Sequence, residues 1–274
     1  MAMYGTTVGD ALRAEITPTG RVFDVARVAI FRSLVSRRLL APEDADPILV
    51  FVKPEPHKVS KLSEGRLRLI SAVSLVDTMV DRLCFGWLAR AALRNVGKTP
   101  VMVGWSPLLG THRFVSQKFF GSRSFCADRS SWDWTVRGWL LIAVRDVIKQ
   151  LLRGAPAWWY DWVDARWRSL FRDARFGFRS GEIVHQPGWG VMKSGCYLTI
   201  LINSISQMIL HSLASASLGE DPSWDLFLAL GDDTVQRPVR DRRAYLDRLR
   251  SYGAIIKAWQ DEDWVEFAGF GFKP

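Results

Sequence analysis

Two carboxylates stand side by side behind a glycine at Gly231-Asp232-Asp233, directly after the apolar run from Leu226 to Leu230. Like charges that close repel unless something positive lies between them, and a divalent cation is the usual partner of clustered oxygen ligands in nucleotide chemistry. That chemistry calls for a third carboxylate from elsewhere in the chain. Asp128 is the natural candidate: the β-prone run from Ser124 to Ala127 leads into it, and Asp133 follows five positions later. If Asp128 ends a strand beside a hairpin that turns at Gly231, its carboxylate meets Asp232 across two Mg²⁺ ions about 3.5–4 Å apart, the spacing for in-line phosphoryl displacement. One ion would activate an attacking hydroxyl and the other would stabilise the leaving oxygen. Taken alone, the same three residues are also ordinary turn formers, with Gly231 supplying backbone freedom.

Two more groups have informative spacing. Thr199 and Asn203 lie four apart in an apolar stretch, so on a helix they share one face, one turn from each other. Lys53, Lys58, Lys61, Arg66 and Arg68 fall within one short span. Arg66 and Arg68 alternate like strand positions and would point the same way, toward phosphate oxygens; the run also reads as a solvated basic face. His57, His112, His185 and His211 show no metal-ligand spacing.

These residues need elements to carry them. Apolar periodicity predicts helices over Val22–Leu40, within Ile70–Leu93, over Arg137–Arg175 and over Tyr197–Ser217, with a further helix at Val239–Tyr252. Trp224–Leu230 reads as a strand that resumes at Thr234, a hairpin with its turn at the paired aspartates. Residues 96–124, rich in Gly, Pro and Ser, read as a long ordered loop. Strands flanked by helices on one side make the fold class α+β. The tryptophan-rich segment "APAWWYDWVDARWRSLF" puts aromatic rings on nearly every face, some for a core and others for a partner.

With 37 Lys and Arg against 28 Asp and Glu among 274 residues, the formal charge of +9 favours a polyanionic partner, nucleic acid or an anionic membrane surface. Cys84, Cys126 and Cys196 are odd in number and widely spaced, which indicates neither a disulfide framework nor a zinc cluster. No signal peptide is evident at the start. The apolar stretch Tyr197–Ala214 contains Thr199, Asn203, Ser204, Ser206, Gln207 and His211, which would be costly facing lipid, so a buried helix rather than a membrane span is expected.

The ordered series D-x-x-x-x-D, S-G-x-x-x-T-x-x-x-N and G-D-D resembles motifs A, B and C of viral RNA-dependent RNA polymerases. The middle element stands here as Ser194-Gly195-Cys196-Tyr197-Leu198-Thr199-Ile200-Leu201-Ile202-Asn203. "KPEPHK", "GRLRLISAVSLVDTMVDRLCFG", "DRSSWDWTV", "GVMKSGCYLT" and "LGDDTVQ" look like the versions found in sobemovirus-like and luteovirus-like plant viruses, over about Lys53 to Phe272. The resemblance implies a right-hand polymerase with fingers and palm, an antiparallel sheet flanked by helices. It implies Asp128, Asp232 and Asp233 as ligands for Mg²⁺ or Mn²⁺, and Asp133, Ser194, Gly195, Thr199 and Asn203 at the nucleotide, the ribose 2′-OH being what separates RNA from DNA. Reverse transcriptases carry an aromatic gate at the position of Asp133 and lack the motif B asparagine, so ribonucleotides are favoured. Lys53, Lys61, Arg66 and Arg68 resemble motif F and would hold the triphosphate. Lys257, in "YGAIIKAW", resembles the motif D general acid that protonates departing pyrophosphate.

On that resemblance the chain divides into an N-terminal lead-in (1–50), fingers with motif F (51–125), palm with motif A (126–149), a fingers insertion (150–190) and palm with motifs B to E (191–274). Where the group usually has Phe-Cys-Ser in motif E, this chain has "VEFAGFGF", departing at Ala268 and Gly269. The family continues into a helical thumb, while this chain stops at Pro274, so the expectation is a thumb that is reduced, absent or contributed by another viral protein or chain. The implied partners are template RNA, nascent RNA and NTPs. The implied setting is the cytoplasm of an infected host cell, a membrane-associated replication complex included. "RNVGKTP" is a P-loop near miss: Ala92 stands at the required glycine and Pro100 where the helix should begin. Two alternatives remain at this stage: a non-catalytic RNA-binding fragment, and another two-metal nucleotidyl transferase or nuclease, which motifs B and F argue against.

Overall fold

The computed structural model describes residues 7–272; residues 1–6 and 273–274, the ends of the first and last expected segments, lie outside the described residues. Thr7 and Asp10 cap α1 (Val8–Ala11) reciprocally, and a small hairpin of β1 (Glu15–Thr17) and β2 (Gly20–Val22) follows. The Asp24 side chain accepts the Arg27 N–H at 2.9 Å and opens α2 (Val25–Leu40). This start is three residues later than the apolar pattern suggested, because the capping side chain satisfies the helix's first free donors and so fixes where it begins.

β3 (Ile48–Val52) pairs antiparallel with β4 (Leu69–Ala72), and the short α3 (Val59–Ser63) lies between them in sequence. Ser74 caps α4 (Leu75–Arg94). The span expected as one loop contains α5 (His112–Lys118). β5 (Ser124–Arg129), the short α6 (Trp132–Thr135), α7 (Gly138–Leu151) and α8 (Ala157–Phe171) come next. A single helix was expected over Arg137–Arg175, but Gly154, with φ 77°, and Pro156 stop α7 and start α8, since proline cannot continue a helix from within. β6 (Arg175–Gly177) and β7 (Ile183–His185) precede α9 (Thr199–Ser217). A 3₁₀ turn at Trp224–Leu226 replaces the first half of the expected strand. β8 (Phe227–Leu230), β9 (Asp233–Gln236), α10 (Arg242–Ser251), β10 (Ile256–Glu262), β11 (Val265–Phe267) and β12 (Phe270–Phe272) complete the described chain.

One four-stranded sheet has the order β10-β5-β9-β8 and is antiparallel throughout; a second has the order β4-β3-β6-β7, with β3 and β6 parallel. The expected boundaries at 50/51 and 125/126 fall inside β3 and β5, because both strands begin a few residues before the polar and charged residues that drew attention.

The larger core lies among α4, α7, α8 and α9. Phe85 on α4 meets the rings of Trp159, Trp162 and Trp167 at 5.6–6.2 Å, and these indoles are buried. Trp159 and Trp167 donate their N–H groups to the carbonyls of Cys84 and Leu141, which makes their burial affordable for a polar atom. Trp158 faces solvent. α9 is buried through most of its length, and among the described residues no helix is long and apolar enough to cross a membrane. A smaller core of Met102, Val115, Phe119, Leu228, Val235, Val265 and Phe267 packs against the β8–β9 hairpin.

Arg166 on α8 grips Asp81 on α4 with two bonds of 2.7 and 2.8 Å, both side chains being almost fully buried. Removing one partner of such a pair leaves an uncompensated interior charge. Asp81→Ala is therefore expected to lower unfolding stability by about 3–5 kcal/mol in urea titration, and adding Arg166→Met should recover much of the loss.

Candidate active site

The register Leu230↔Asp233 leaves Gly231 and Asp232 as a two-residue turn. Gly231 has φ 67°, at the first central position of the hairpin turn, where an ordinary side chain is strained. Its N–H donates to the Ser204 hydroxyl at 2.9 Å, so α9 holds the turn from behind. β5 pairs antiparallel with β9 through Phe125↔Gln236 and Cys126↔Val235; continuing that register brings Asp128 level with Asp233. Two neighbouring strands thus place Asp128 and Asp233 side by side, with Asp232 at the adjoining turn.

The field at this edge is crowded with negative charge. Asp233 keeps contact with solvent, yet desolvation by the protein around it, then the charges of Asp232 and Asp128, push its carboxyl up to about 6. Lys257 answers Asp128 from the other side, its Nζ 2.8 Å from Asp128 Oδ2, and this bond raises the ammonium's pKa above its ordinary value. The β10–β5 register slips between Ile256 and Ala258, which makes Lys257 the extra residue of a β-bulge. Bulges beside functional sites re-aim a side chain, and this one turns a lysine onto an aspartate.

Asp133 lies on α6, just after Ser131 with its positive φ of 51°. Desolvation and the charge of Asp232 push its carboxyl up to about 6; a hydrogen bond from Asn203 and the charge of Arg68 act against that. Asn203 Oδ1 accepts the Trp132 indole N–H at 2.9 Å, which orients the amide so that its nitrogen serves Asp133. The structure brings Asn203 to Asp133 but turns Thr199 away: the Thr199 hydroxyl lies 2.6 Å from the Lys193 carbonyl and 2.8 Å from that of Cys196, within the loop that starts α9.

Ser194 and Gly195 dock on β4. The Ser71 N–H donates to Ser194 Oγ at 3.0 Å, and the Gly195 N–H donates to the Ser71 carbonyl at 3.0 Å. A Cβ on Gly195 would stand 2.8 Å from that carbonyl oxygen, so only glycine lets the two backbones meet.

The basic residues spread along the approach to β4. Arg66 and Arg68 precede the strand, which begins at Leu69, so the strand alternation expected of them is absent; Gly65, with φ 65°, turns the chain just before. Glu55 pairs with Lys53 at 2.6 Å and with Arg68 at 3.5 Å, and Arg66 pairs with Glu64. Lys61 is exposed on α3. His57 accepts the Arg68 N–H at its Nε2, 3.2 Å away.

Among the described residues no three His, Cys, Asp or Glu side chains are already drawn together as a metal cage. The donor chemistry nevertheless fits a hard divalent cation: carboxylate oxygens on adjoining strands, crowded enough that the charges of Asp232 and Asp128 help raise the proton affinity of Asp233. Two residues of this site went unnoticed in the sequence, Ser204 and Arg129. Arg129 is buried, and its Nη1 donates to the carbonyls of Ala127 and Asp232 and to Thr234 Oγ1 at 3.0–3.2 Å. Strand alternation could have found it, since Phe125, Ala127 and Arg129 fall on one face. Ser204 carried no such signal beyond its place in a buried helix.

Ser204→Ala would strand the buried Gly231 N–H, and an expected loss of roughly 1–3 kcal/mol should appear in urea unfolding. Asp133 gives a pH signature. Its folded-state carboxyl titrates near 6, above the ordinary carboxylate value, so the folded chain holds a proton that the unfolded chain releases between those two values. Stability from this group therefore rises as pH falls through 6 and is lost at neutral pH. Asp133→Asn should melt above the wild type at about pH 7, and the gap should narrow toward about pH 4.5, as read by calorimetry.

Residues 48–253 match the family described as viral RNA-dependent RNA polymerase. Over 209 residues the chain is 34% identical to the replicase polyprotein P2AB of Cocksfoot mottle virus, covering 72% of the chain and 20% of that polyprotein. It is 32% identical over 234 residues to protein P1-P2 of Potato leafroll virus, covering 79% of the chain and 21% of that protein. The chain thus spans about a fifth of the length of these curated relatives. Its fold is similar to the crystal structure of an insertion loop deletion mutant of the RNA-dependent RNA polymerase of a human picobirnavirus, with a TM-score of 0.64 and 15% identity over 81% of this chain and 43% of that one. Matched over most of its length, in motifs and in fold, the chain belongs to the viral RNA-dependent RNA polymerase family.

Proposed function

We propose that this chain carries the fingers and palm of an RNA-directed RNA polymerase that joins ribonucleoside triphosphates on an RNA template during viral genome replication in the host cytoplasm. The observation that carries the reading is the placement of Asp128 and Asp233 side by side on paired strands with Asp232 at the adjoining turn, where the charge of Asp232 acts on Asp133 and Asn203 hydrogen-bonds to Asp133. In this reading residues 51–125 and the insertion at 150–190 form the fingers, and residues 126–149 and 191–274, with the sheet β10-β5-β9-β8, α9 and α10, form the palm.

Asp128 and Asp232 would be the main ligands for Mg²⁺ or Mn²⁺ and Asp233 an auxiliary one. Such cations, when bound, activate the attacking 3′-hydroxyl and neutralise charge on the leaving phosphate oxygens. The chain's own residues do the rest. The Asn203 amide, fixed by Trp132, and the Asp133 carboxylate present a donor and an acceptor to the ribose 2′-OH. Lys53, Lys61, Arg66 and Arg68 bind the triphosphate, with Glu55 keeping Lys53 and Arg68 in place until phosphate displaces it. Lys257 leaves Asp128 and donates its proton to pyrophosphate oxygen. Ser194 and Gly195 hold the nucleotide-facing loop against β4.

The test is primer extension on a short RNA template with Mg²⁺ or Mn²⁺. Extension is expected with NTPs, weaker with dNTPs, and reduced to background in Asp232→Ala/Asp233→Ala. Asn203→Ala should cut the preference for NTPs over dNTPs by at least about tenfold, the value of one good hydrogen bond to the 2′-OH. Salt-sensitive RNA binding without any extension would overturn the catalytic reading of this chain and leave it an RNA-binding role.

A further inference from the structure

Arg129 is an arginine in a place where arginine is expensive. It follows Asp128 at the end of β5, only 8% exposed, and pairs with no carboxylate among the described residues. Its Nε has no hydrogen-bond partner there either. Its guanidinium carbon sits 6.0 Å from the Trp132 ring centroid. An interior cation of this kind is normally tolerated only when negative charge lies close by.

The negative charge is the aspartate cluster itself. Burial draws the Arg129 guanidinium below its ordinary pKa, while Tyr245 from α10 and then Asp232, Asp233 and Asp128 oppose that pull. His211 on α9 also feels the Arg129 charge, which helps keep its ring neutral. Among the bonds of Nη1, the one to the Asp232 carbonyl at 3.1 Å reaches the turn, the one to Thr234 at 3.2 Å reaches β9, and the one to Ala127 returns to β5. A single guanidinium nitrogen thus joins the strand that carries Asp128 to the turn that carries Asp232. Lys257, also at the cluster, is two-thirds exposed and among the described residues pairs with Asp128 alone.

We propose that Arg129 is a positioning residue that gives the three aspartates a permanent internal counter-charge, holding Asp128, Asp232 and Asp233 at one site before any divalent cation arrives and weakening the grip on that cation once it has. The inference rests on the reading of these aspartates as cation ligands. Guanidinium does not give up its proton in proteins, so its charge stays in place when the cation leaves. The bound ion and the arginine then share one task, offsetting carboxylate repulsion, and each makes the other less necessary.

The experiment uses the chain without RNA or nucleotide, titrated with Mn²⁺ and followed by the electron paramagnetic resonance of free Mn²⁺, with melting curves in the absence and presence of the ion. Arg129→Met keeps the bulk and removes the charge. Its Mn²⁺ dissociation constant should fall roughly threefold to tenfold, its metal-free melting temperature should drop, and Mn²⁺ should raise that temperature by more than in the wild type. Arg129→Lys keeps the charge but not the planar guanidinium or its reach, and its Mn²⁺ affinity should stay within about twofold of wild type although it melts lower. Unchanged Mn²⁺ affinity in Arg129→Met, with the same drop in melting temperature whether or not Mn²⁺ is present, would overturn the proposal and leave Arg129 a packing role. If Arg129→Met is unfolded without metal, saturating Mn²⁺ should restore folding, and failure to do so also overturns it. Mn²⁺ uptake that is absent in the wild type, or equal in Asp232→Ala/Asp233→Ala, would instead sink the cation-ligand reading, and this inference with it.

Discussion

Carboxylates gathered at one sheet edge repel one another, and the backbone that carries them must be held against that repulsion. Here the restraint comes from behind and below. Ser204 takes the Gly231 N–H, and Arg129 takes the Asp232 carbonyl on the next residue. The β5–β9 ladder fixes the distance between the strands that carry Asp128 and Asp233. None of these bonds touches a carboxylate oxygen, so the oxygens stay free for whatever binds them, while their main chain is fixed. Lys257 is the exception, and its place on a bulge of an edge strand leaves it free to move without breaking the ladder.

α9 is the element through which this restraint runs. One helix presents Asn203 to Trp132 and Asp133, Ser204 to the turn, and His211 to Tyr245 and Phe227. Such polar residues are costly in a buried helix unless each finds a partner. The partners of Asn203 and Ser204 are parts of the site, so the burial that stabilises the fold also aligns Asn203 and Asp133 with the aspartate turn. The same polar residues marked the stretch as a poor candidate for a membrane span when only its sequence was considered.

Much of this was legible before any coordinates. The order of the carboxylates, the Thr199–Asn203 spacing and the basic run carried the family, and α9 and the hairpin lie close to where periodicity put them. What was missed is tertiary. Arg66 and Arg68 read as a strand because alternation is a local pattern, whereas the chain enters β4 only after Gly65 has turned it and Glu55 and Glu64 have claimed the guanidinium groups. Thr199 and Asn203 do share a helix, but a hydroxyl next to unsatisfied loop carbonyls bonds to them first. Arg129 looked like one of 37 basic residues until the strand alternation turned it inward. The break at Gly154 and Pro156 was in plain sight and was outweighed by the aromatic run that follows it.

β4 connects the two halves of the site. Its lead-in carries Arg66 and Arg68, and its last two residues, Ser71 and Ala72, receive Ser194 and Gly195. The basic arm and the loop that opens α9 are therefore attached to the same short strand. The charge of Arg68 already acts on Asp133 across the gap. Gly195 makes this attachment possible: with a Cβ 2.8 Å from the Ser71 carbonyl the two backbones could not lie together. A glycine that looks like motif spacing in the sequence is, in the fold, the contact that lets the loop opening α9 lie directly against β4.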